Sequence, residues 1–251
     1  MKLARFRYKK KVYWGKIQDG FIRLIDGDPF KRIKLTNQRI SLSKVKLLPP
    51  AGPGGKIILT GLNYRDHARE LKMRLPREPV VFLKPNTSLI ADQEKIIYPP
   101  FVNRLDYEAE LAVVIKRQGR FIRKHQAGKY ILGFTCLNDV TARDLQRKDV
   151  QWTRAKSFDT FCPLGPWIET KLSLSNLKIR SYLNGQLKQD SSTAKFIFSV
   201  DYLIWFISRI MTLHPGDIIS TGTPSGTGSM RRGDLVEIEL EGLGRLKNRV
   251  I

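Results

Sequence analysis

The first residues alternate: Ala4, Phe6 and Tyr8 fall on one side of an extended chain, and Leu3, Arg5 and Arg7 on the other. That period of two continues to about residue 25. It predicts two or three short strands, turned at Lys9-Lys10-Lys11 and at Asp19-Gly20. A polar stretch follows and ends in Leu48-Pro49-Pro50-Ala51-Gly52-Pro53-Gly54-Gly55, the densest Pro/Gly cluster in the chain and the best linker candidate. A boundary there gives a small N-terminal β domain, 1–50, and a larger domain, 56–251. In the larger part, Lys56 to Gly61 reads as a buried strand. Asn63 as a cap, with Asp66 three residues on, predicts a helix over 64–73 that ends before Pro76. Apolar runs at 80–84, 105–116, 130–138, 178–183, 217–220 and 234–240 predict further strands. Ser199 to Leu213 reads as a second helix, capped by Ser199 and stopped before Pro215. The pattern is α+β, mainly β, and lacks the strand–helix alternation of a dinucleotide fold.

Asp106-Tyr107-Glu108-Ala109-Glu110-Leu111-Ala112-Val113-Val114-Ile115 carries the first candidate chemistry. As a strand it puts Asp106, Glu108, Glu110, Ala112 and Val114 on one face and only apolar side chains on the other. Glu108 and Glu110 then stand roughly 6.5 Å apart where the strand enters a core that covers both its sides. Buried like charges at that spacing need protonation, a basic partner or a metal ion. Asp139 closes another apolar run, Tyr130 to Asn138. If the two strand ends converge, Glu108, Glu110 and Asp139 form an all-oxygen set that suits Mg²⁺, Mn²⁺ or Ca²⁺ better than zinc. A solvated acidic face fits the spacing equally well. His67 and Glu70, three apart on the predicted helix, share a face, so the acid can orient the imidazole or the two can form a surface ion pair.

Composition narrows the setting. The 251 residues include 45 Lys/Arg and 23 Asp/Glu, a net charge of +22, and 41% are hydrophobic, enough for a packed core. Residues 1–50 hold 14 Lys/Arg against Asp19, Asp26 and Asp28, a net +11, or half the excess in a fifth of the chain. Phe6, Tyr8, Tyr13, Trp14 and Phe21 are interleaved with these cations, as in nucleic-acid stacking platforms. No recognisable RNA- or DNA-binding motif accompanies them, so nucleic acid stays a minor alternative to a solvated surface. Two cysteines, Cys136 and Cys162, exclude a disulfide framework and zinc fingers and point to a reducing cytoplasm. The start lacks a signal-peptide core and no run is long enough to span a membrane, so a soluble cytoplasmic protein is expected. Gly222-Thr223-Pro224-Ser225-Gly226-Thr227-Gly228 lacks the Gly-Lys-Ser/Thr ending of a phosphate loop, which argues against nucleotide binding.

Six separated motifs resemble the fumarylacetoacetate hydrolase family, in particular its small single-chain members: acylpyruvate hydrolases, oxaloacetate decarboxylases and hydroxymuconate-type isomerases. They are Gly61-Leu62-Asn63-Tyr64-Arg65-Asp66-His67-Ala68-Arg69-Glu70, Phe82-Leu83-Lys84-Pro85, Asp106 to Leu111, Asn138-Asp139-Val140-Thr141-Ala142-Arg143-Asp144-Leu145-Gln146, Ala155-Lys156-Ser157-Phe158-Asp159 with its continuation to Pro166, and Thr221 to Gly228, in family order over about residues 56–250. The resemblance implies a mixed, mainly antiparallel β-roll with a small N-terminal β domain, commonly a homodimer. It implies that Glu108, Glu110 and Asp139 are metal ligands, for Mg²⁺ or Mn²⁺ and less readily Ca²⁺. It gives His67 and Glu70, on a lid, a water-activating role. Lys156, set between Trp152 and Phe158, is implied to stabilise an enolate. Arg143, Gln146 and Thr223 match substrate contacts, Arg143 fitting a structural ion pair to Asp144 or Asp139 equally well. The implied reaction is metal-dependent hydrolytic C–C cleavage of an acylpyruvate-type keto acid, with decarboxylation or isomerisation on the same site as alternatives. The substrate is then an anionic small molecule, and the lid's basic run, Leu71 to Glu78, agrees with that.

Overall fold

The computed structural model describes residues 1–51 and 54–251; the linker residues Gly52 and Pro53 lie outside the described residues. The predicted N-terminal hairpins form: β1 (Lys2–Tyr8), β2 (Lys11–Gln18) and β3 (Phe21–Ile25) are joined by two-residue turns. Lys9 and Lys10 have φ of 45° and 66°, and Asp19 and Gly20 of 50° and 76°, which matches the turn's twist to that of the strands. The polar stretch after residue 25 holds a further strand, β4 (Leu35–Ser41), which pairs with β3. These strands extend the main sheet. Lys2 and Leu3 pair with Glu169 and Ile168 of the Cys162–Glu169 strand, so a 12-stranded sheet runs through both parts of the chain. Ala4, Phe6, Ile22 and Leu24 form their own cluster, while Leu3 and Ile25 pack with Ile57, Leu59 and Leu164.

At the centre of that sheet, Ala109–Ile115 lies between Ile131–Asn138 and Ile218–Ser220, and the latter pairs in parallel with Ile57–Gly61. Both faces of this strand are buried, as the apolar run predicts. Ala109, Leu111, Val113 and Ile115 enter one core cluster, Ala112 and Val114 the other. A five-stranded sheet includes Lys178–Leu183, Gln186–Ser192, Leu235–Leu240 and Gly244–Val250, and its Ile179, Val236, Ile238 and Leu246 join the first cluster. A three-stranded sheet joins Leu105–Tyr107, Thr141–Ala142 and Gly228–Met230. No helix among the described residues is long and apolar enough to cross a membrane.

The described residues form four α-helices, all of eleven residues or fewer: α1 (Arg65–Glu70), α2 (Arg143–Lys148), α3 (Thr153–Lys156) and α4 (Val200–Ile210). α4 starts as predicted, with the Ser199 hydroxyl accepting from Tyr202 N–H. α1 is shorter than the 64–73 expected and is not capped by Asn63. Tyr64 takes the cap position, and the Asn63 side chain donates to Phe198 O and Thr221 O instead. The predicted strand over 105–116 is interrupted at Glu108, where the chain passes from the three-stranded sheet to the main one.

Candidate active site

That interruption assembles the acids. Glu108 N–H donates to the Asn138 side chain at 3.0 Å and Asp139 N–H to Glu108 O at 2.9 Å, so the ends of the two strands are tied together. Glu108, Glu110 and Asp139 then bring carboxylate oxygens within 4.8 Å of one another, all three buried. They form the floor of a cavity of about 460 Å³. The expected convergence is present.

The neutralisation is uneven. Lys156 Nζ donates to Asp139 Oδ2 at 2.6 Å, Thr141 Oγ1 at 2.6 Å and Glu108 Oε2 at 3.0 Å, which takes up all three of its hydrogens. Lys84, with no exposed side-chain surface, lies 2.5 Å from Asp139 Oδ1. Arg143 reaches Glu108 and also Asp106 at 2.9 Å, and its third nitrogen donates to Gln146 Oε1 at 2.5 Å. Arg143 is thus an ion-pair partner of Asp106 and Glu108 and of neither acid expected: Asp144 instead accepts from Asn103, and Asp139 pairs with Lys84 and Lys156. Glu110 contacts no basic side chain among the described residues. Its Oε2 accepts from Ser220 Oγ at 2.5 Å and from Gly222 N–H at 3.0 Å. Gly222 has φ of 84°, and a Cβ there would stand 2.9 Å from Asn63 Cβ, so only glycine lets this N–H reach the acid.

Two carboxyls two residues apart therefore titrate in opposite directions. Burial pushes Glu108 up, but Lys156 and Arg143 together outweigh it and hold its carboxyl well below the usual range. Burial, then repulsion from Asp139 and Glu108, pushes Glu110 well above that range. Burial works against the charge on Lys156, and Asp139 and Glu108 more than restore it. All three acids offer oxygen, and Glu110 is the one left without a counter-charge. A hard divalent cation fits this donor set and would supply that charge.

His67 and Glu70 share one face of α1, with Nδ1 and Oε2 2.9 Å apart, and both line the cavity. Glu70 Oε1 also accepts from Gly226 N–H at 3.0 Å, which ties α1 to the loop over 221–228. With Nδ1 facing the carboxylate, Nε2 is the nitrogen available to a ligand. The remaining walls include Leu62, Leu71, Met73, Phe82 and Trp152 on the apolar side and Arg104, Gln146, Arg147 and Thr223 on the polar side. Leu71 and Met73 of the predicted lid are also half-exposed to solvent. His125 and His214 lie away from this cavity, as their turn-like settings suggest.

Every site residue expected from the sequence lines this one cavity. Sequence reasoning missed Lys84, Thr141, Arg104 and Arg147. Arg147 had the plainest signal: on α2 it stands one turn beyond Arg143, so the two share a face. Arg147 has no ion-pair partner among the described residues, whereas Arg104 is held by Asp106 at 2.8 Å. Cys136 and Cys162 are free and buried, which pushes both thiols up to about 12 and leaves them inert.

The family described as fumarylacetoacetate (FAA) hydrolase C-terminal matches residues 56–251, and one described as Rv2993c-like, N-terminal, matches residues 1–50. Among solved structures, 5-carboxymethyl-2-hydroxymuconate delta-isomerase from Mycobacterium smegmatis superposes with a TM-score of 0.94 at 42% identity, covering 100% of this chain and 99% of that one. The 2-hydroxyhepta-2,4-diene-1,7-dioate isomerase from Mycobacterium marinum gives 0.93 at 40% identity, covering 100% and 98%. Oxaloacetate tautomerase FAHD2B, mitochondrial, of Bos taurus is 42% identical over 221 residues, 83% of this chain and 70% of its own length.

Proposed function

Because the chain belongs to the fumarylacetoacetate hydrolase family, we propose that it is a divalent-metal-dependent tautomerase or isomerase that moves a proton at the carbon beside the keto group of a 2-oxo dicarboxylic acid. The convergence of Glu108, Glu110 and Asp139 under His67 carries this reading. These three acids would hold the cation, Mg²⁺ or Mn²⁺, which when bound supplies Lewis-acid polarisation of the keto oxygen. The chain's own residues do the rest. Gln146, its oxygen taken by Arg143, has its amide hydrogens for a substrate oxygen, and Thr223 offers a hydroxyl. Arg147, free of acidic partners among the described residues, suits a second carboxylate toward the mouth. His67, held by Glu70, takes the proton from carbon and returns it. Lys156 keeps a positive charge at the floor, where it favours the negative charge that develops on the substrate. The names of the similar isomerases and of the oxaloacetate tautomerase support this choice among the family's reactions.

Hydrolytic C–C cleavage of an acylpyruvate, the reaction expected from the sequence, is the second reading. It is favoured by a cavity of about 460 Å³, which takes a keto acid and water together with His67 as the base. The experiment assays oxaloacetate enol-to-keto conversion and acylpyruvate cleavage with Mg²⁺, following products by NMR. Faster ketonisation without C–C cleavage, abolished by Glu108→Gln, is the expected result; pyruvate release from an acylpyruvate with no ketonisation favours hydrolysis.

A further inference from the structure

Gln189, on the Gln186–Ser192 strand, is buried and does not line the cavity, yet it joins the strand of acids to the loop that bears Thr223. Its amide oxygen accepts from Ala109 N–H at 3.0 Å, between Glu108 and Glu110 in sequence. Its amide nitrogen donates to Pro224 O at 2.9 Å and to Thr223 Oγ1 at 2.9 Å. The amide cannot be turned over: Ala109 N–H only donates and Pro224 O only accepts, so each end of the side chain is dictated by its backbone partner. One consequence falls on Thr223. Its hydroxyl oxygen already receives a hydrogen from Gln189, and the hydroxyl meets no protein acceptor among the described residues. Thr223 lines the cavity, so its own hydrogen is left for whatever binds there.

We propose that Gln189 is a positioning residue that makes Thr223 a one-way hydrogen-bond donor, so that this point of the site takes a carboxylate or enolate oxygen and discriminates against a donor group. The inference rests on the keto-acid reading above and specifies the oxygen that Thr223 recognises. In Gln189→Glu one carboxylate oxygen still accepts from Ala109 N–H, while the other accepts the Thr223 hydrogen and turns it away from the ligand. Gln189→Met removes the donor without adding charge, and the acceptor of Ala109 N–H with it, so as a second variant, should a buried carboxylate unsettle the fold, it is read beside Mn²⁺ affinity, which reports whether the acids keep their places.

The test measures binding of oxalate, whose adjacent carboxylates imitate a 2-oxo acid's planar enolate, to the Mg²⁺-loaded protein by calorimetry. Mn²⁺ affinity without oxalate serves as the control for an intact floor. Gln189→Glu is expected to weaken oxalate roughly 10- to 100-fold, the cost of losing a hydrogen bond to a charged group. Gln189→Met should weaken it less, and Mn²⁺ affinity should stay at the parent value in both. In a Thr223→Val background, where the hydroxyl is gone, Gln189→Met should cost nothing further. Parent-level oxalate affinity in both variants, or an equal loss with and without the Thr223 hydroxyl, overturns the proposal. Absence of oxalate binding by the parent protein overturns the keto-acid reading and this inference with it.

Discussion

Residues 1–50 and the cavity floor handle charge in opposite ways. Residues 1–50 carry half of the net +22, none of their cations is fully buried, and an ion pair such as Lys34 with Asp26 is well exposed. Phe6 is fully buried, Tyr13 stacks on it at 5.9 Å, and Trp14 packs edge-on against Phe30 at 5.7 Å. Of the rings interleaved with the cations, Phe6 is core, Tyr8, Tyr13 and Trp14 pack partly buried against it or its neighbour cluster, and Phe21 is exposed. On the floor Glu108 and Asp139 are buried in contact with Lys84, Lys156 and the partly buried Arg143, and Glu110 is buried beside them without such a contact among the described residues; there the effective dielectric is low and each interaction counts for far more. Exposed charge tunes association; buried charge of imperfect balance creates a site.

The sharpest way to break this contrast is to remove Asp139. Asp139→Asn leaves Lys84 and Lys156 without a shared counter-charge, and a loss of roughly 3–5 kcal/mol is expected in denaturant unfolding, as for breaking a buried pair. Turnover should fall on the order of 10³-fold in the same variant, since a Lewis acid supplies several kcal/mol. Next in size is the base. His67→Gln should lower kcat by about 10²- to 10⁴-fold and Glu70→Gln by less, with Mn²⁺ affinity unchanged in both, because neither side chain belongs to the acid cluster.

A third prediction concerns pH. Glu110 is raised in the folded protein, so the folded state binds the proton more tightly than the unfolded chain. Its contribution to metal-free stability is therefore fully present below the unfolded carboxyl pKa, about 4.3, and is lost as pH rises from there through the raised folded value. Stability curves of the metal-free protein should show this decline, and Glu110→Gln, neutral throughout, should remove that part of it. The smallest effect belongs to the basic region. Lys9→Asn with Lys10→Gly puts residues suited to positive φ in the first hairpin turn and should raise stability by roughly 1 kcal/mol while leaving turnover unchanged.

The sequence displayed the hairpins, the central strands, the three acids and the His67/Glu70 pair because each rests on a local signal: alternation, a turn pair, an acid at the end of an apolar run, or a three-residue helical spacing; Lys156, Arg143, Gln146 and Thr223 stood out only through the family resemblance. Other strands had no such signal. Cys162–Glu169 contains Pro163 and Pro166, and Gln186–Ser192 is mainly polar, so neither reads as a strand, and only pairing with neighbours already in place makes them so. The same limit hid Lys84, Thr141 and Gln189. Each acts on a residue far along the chain: Lys84 on Asp139, Thr141 on Lys156 and Gln189 on Thr223. What brings them together is the pairing of the strands and the packing of α3 against them, and no spacing in the sequence expresses that.

An incompletely neutralised acid cluster such as Glu108, Glu110 and Asp139 should act as a cation site. Calorimetric titration of the chelator-treated protein with Mn²⁺, repeated in buffers of different ionisation enthalpy, tests it most directly. One ion per chain, bound with release of a proton as Glu110 ionises, and lost in Glu108→Gln and Glu110→Gln, is the predicted result. Failure to bind Mn²⁺, or binding that both substitutions leave unchanged, contradicts it.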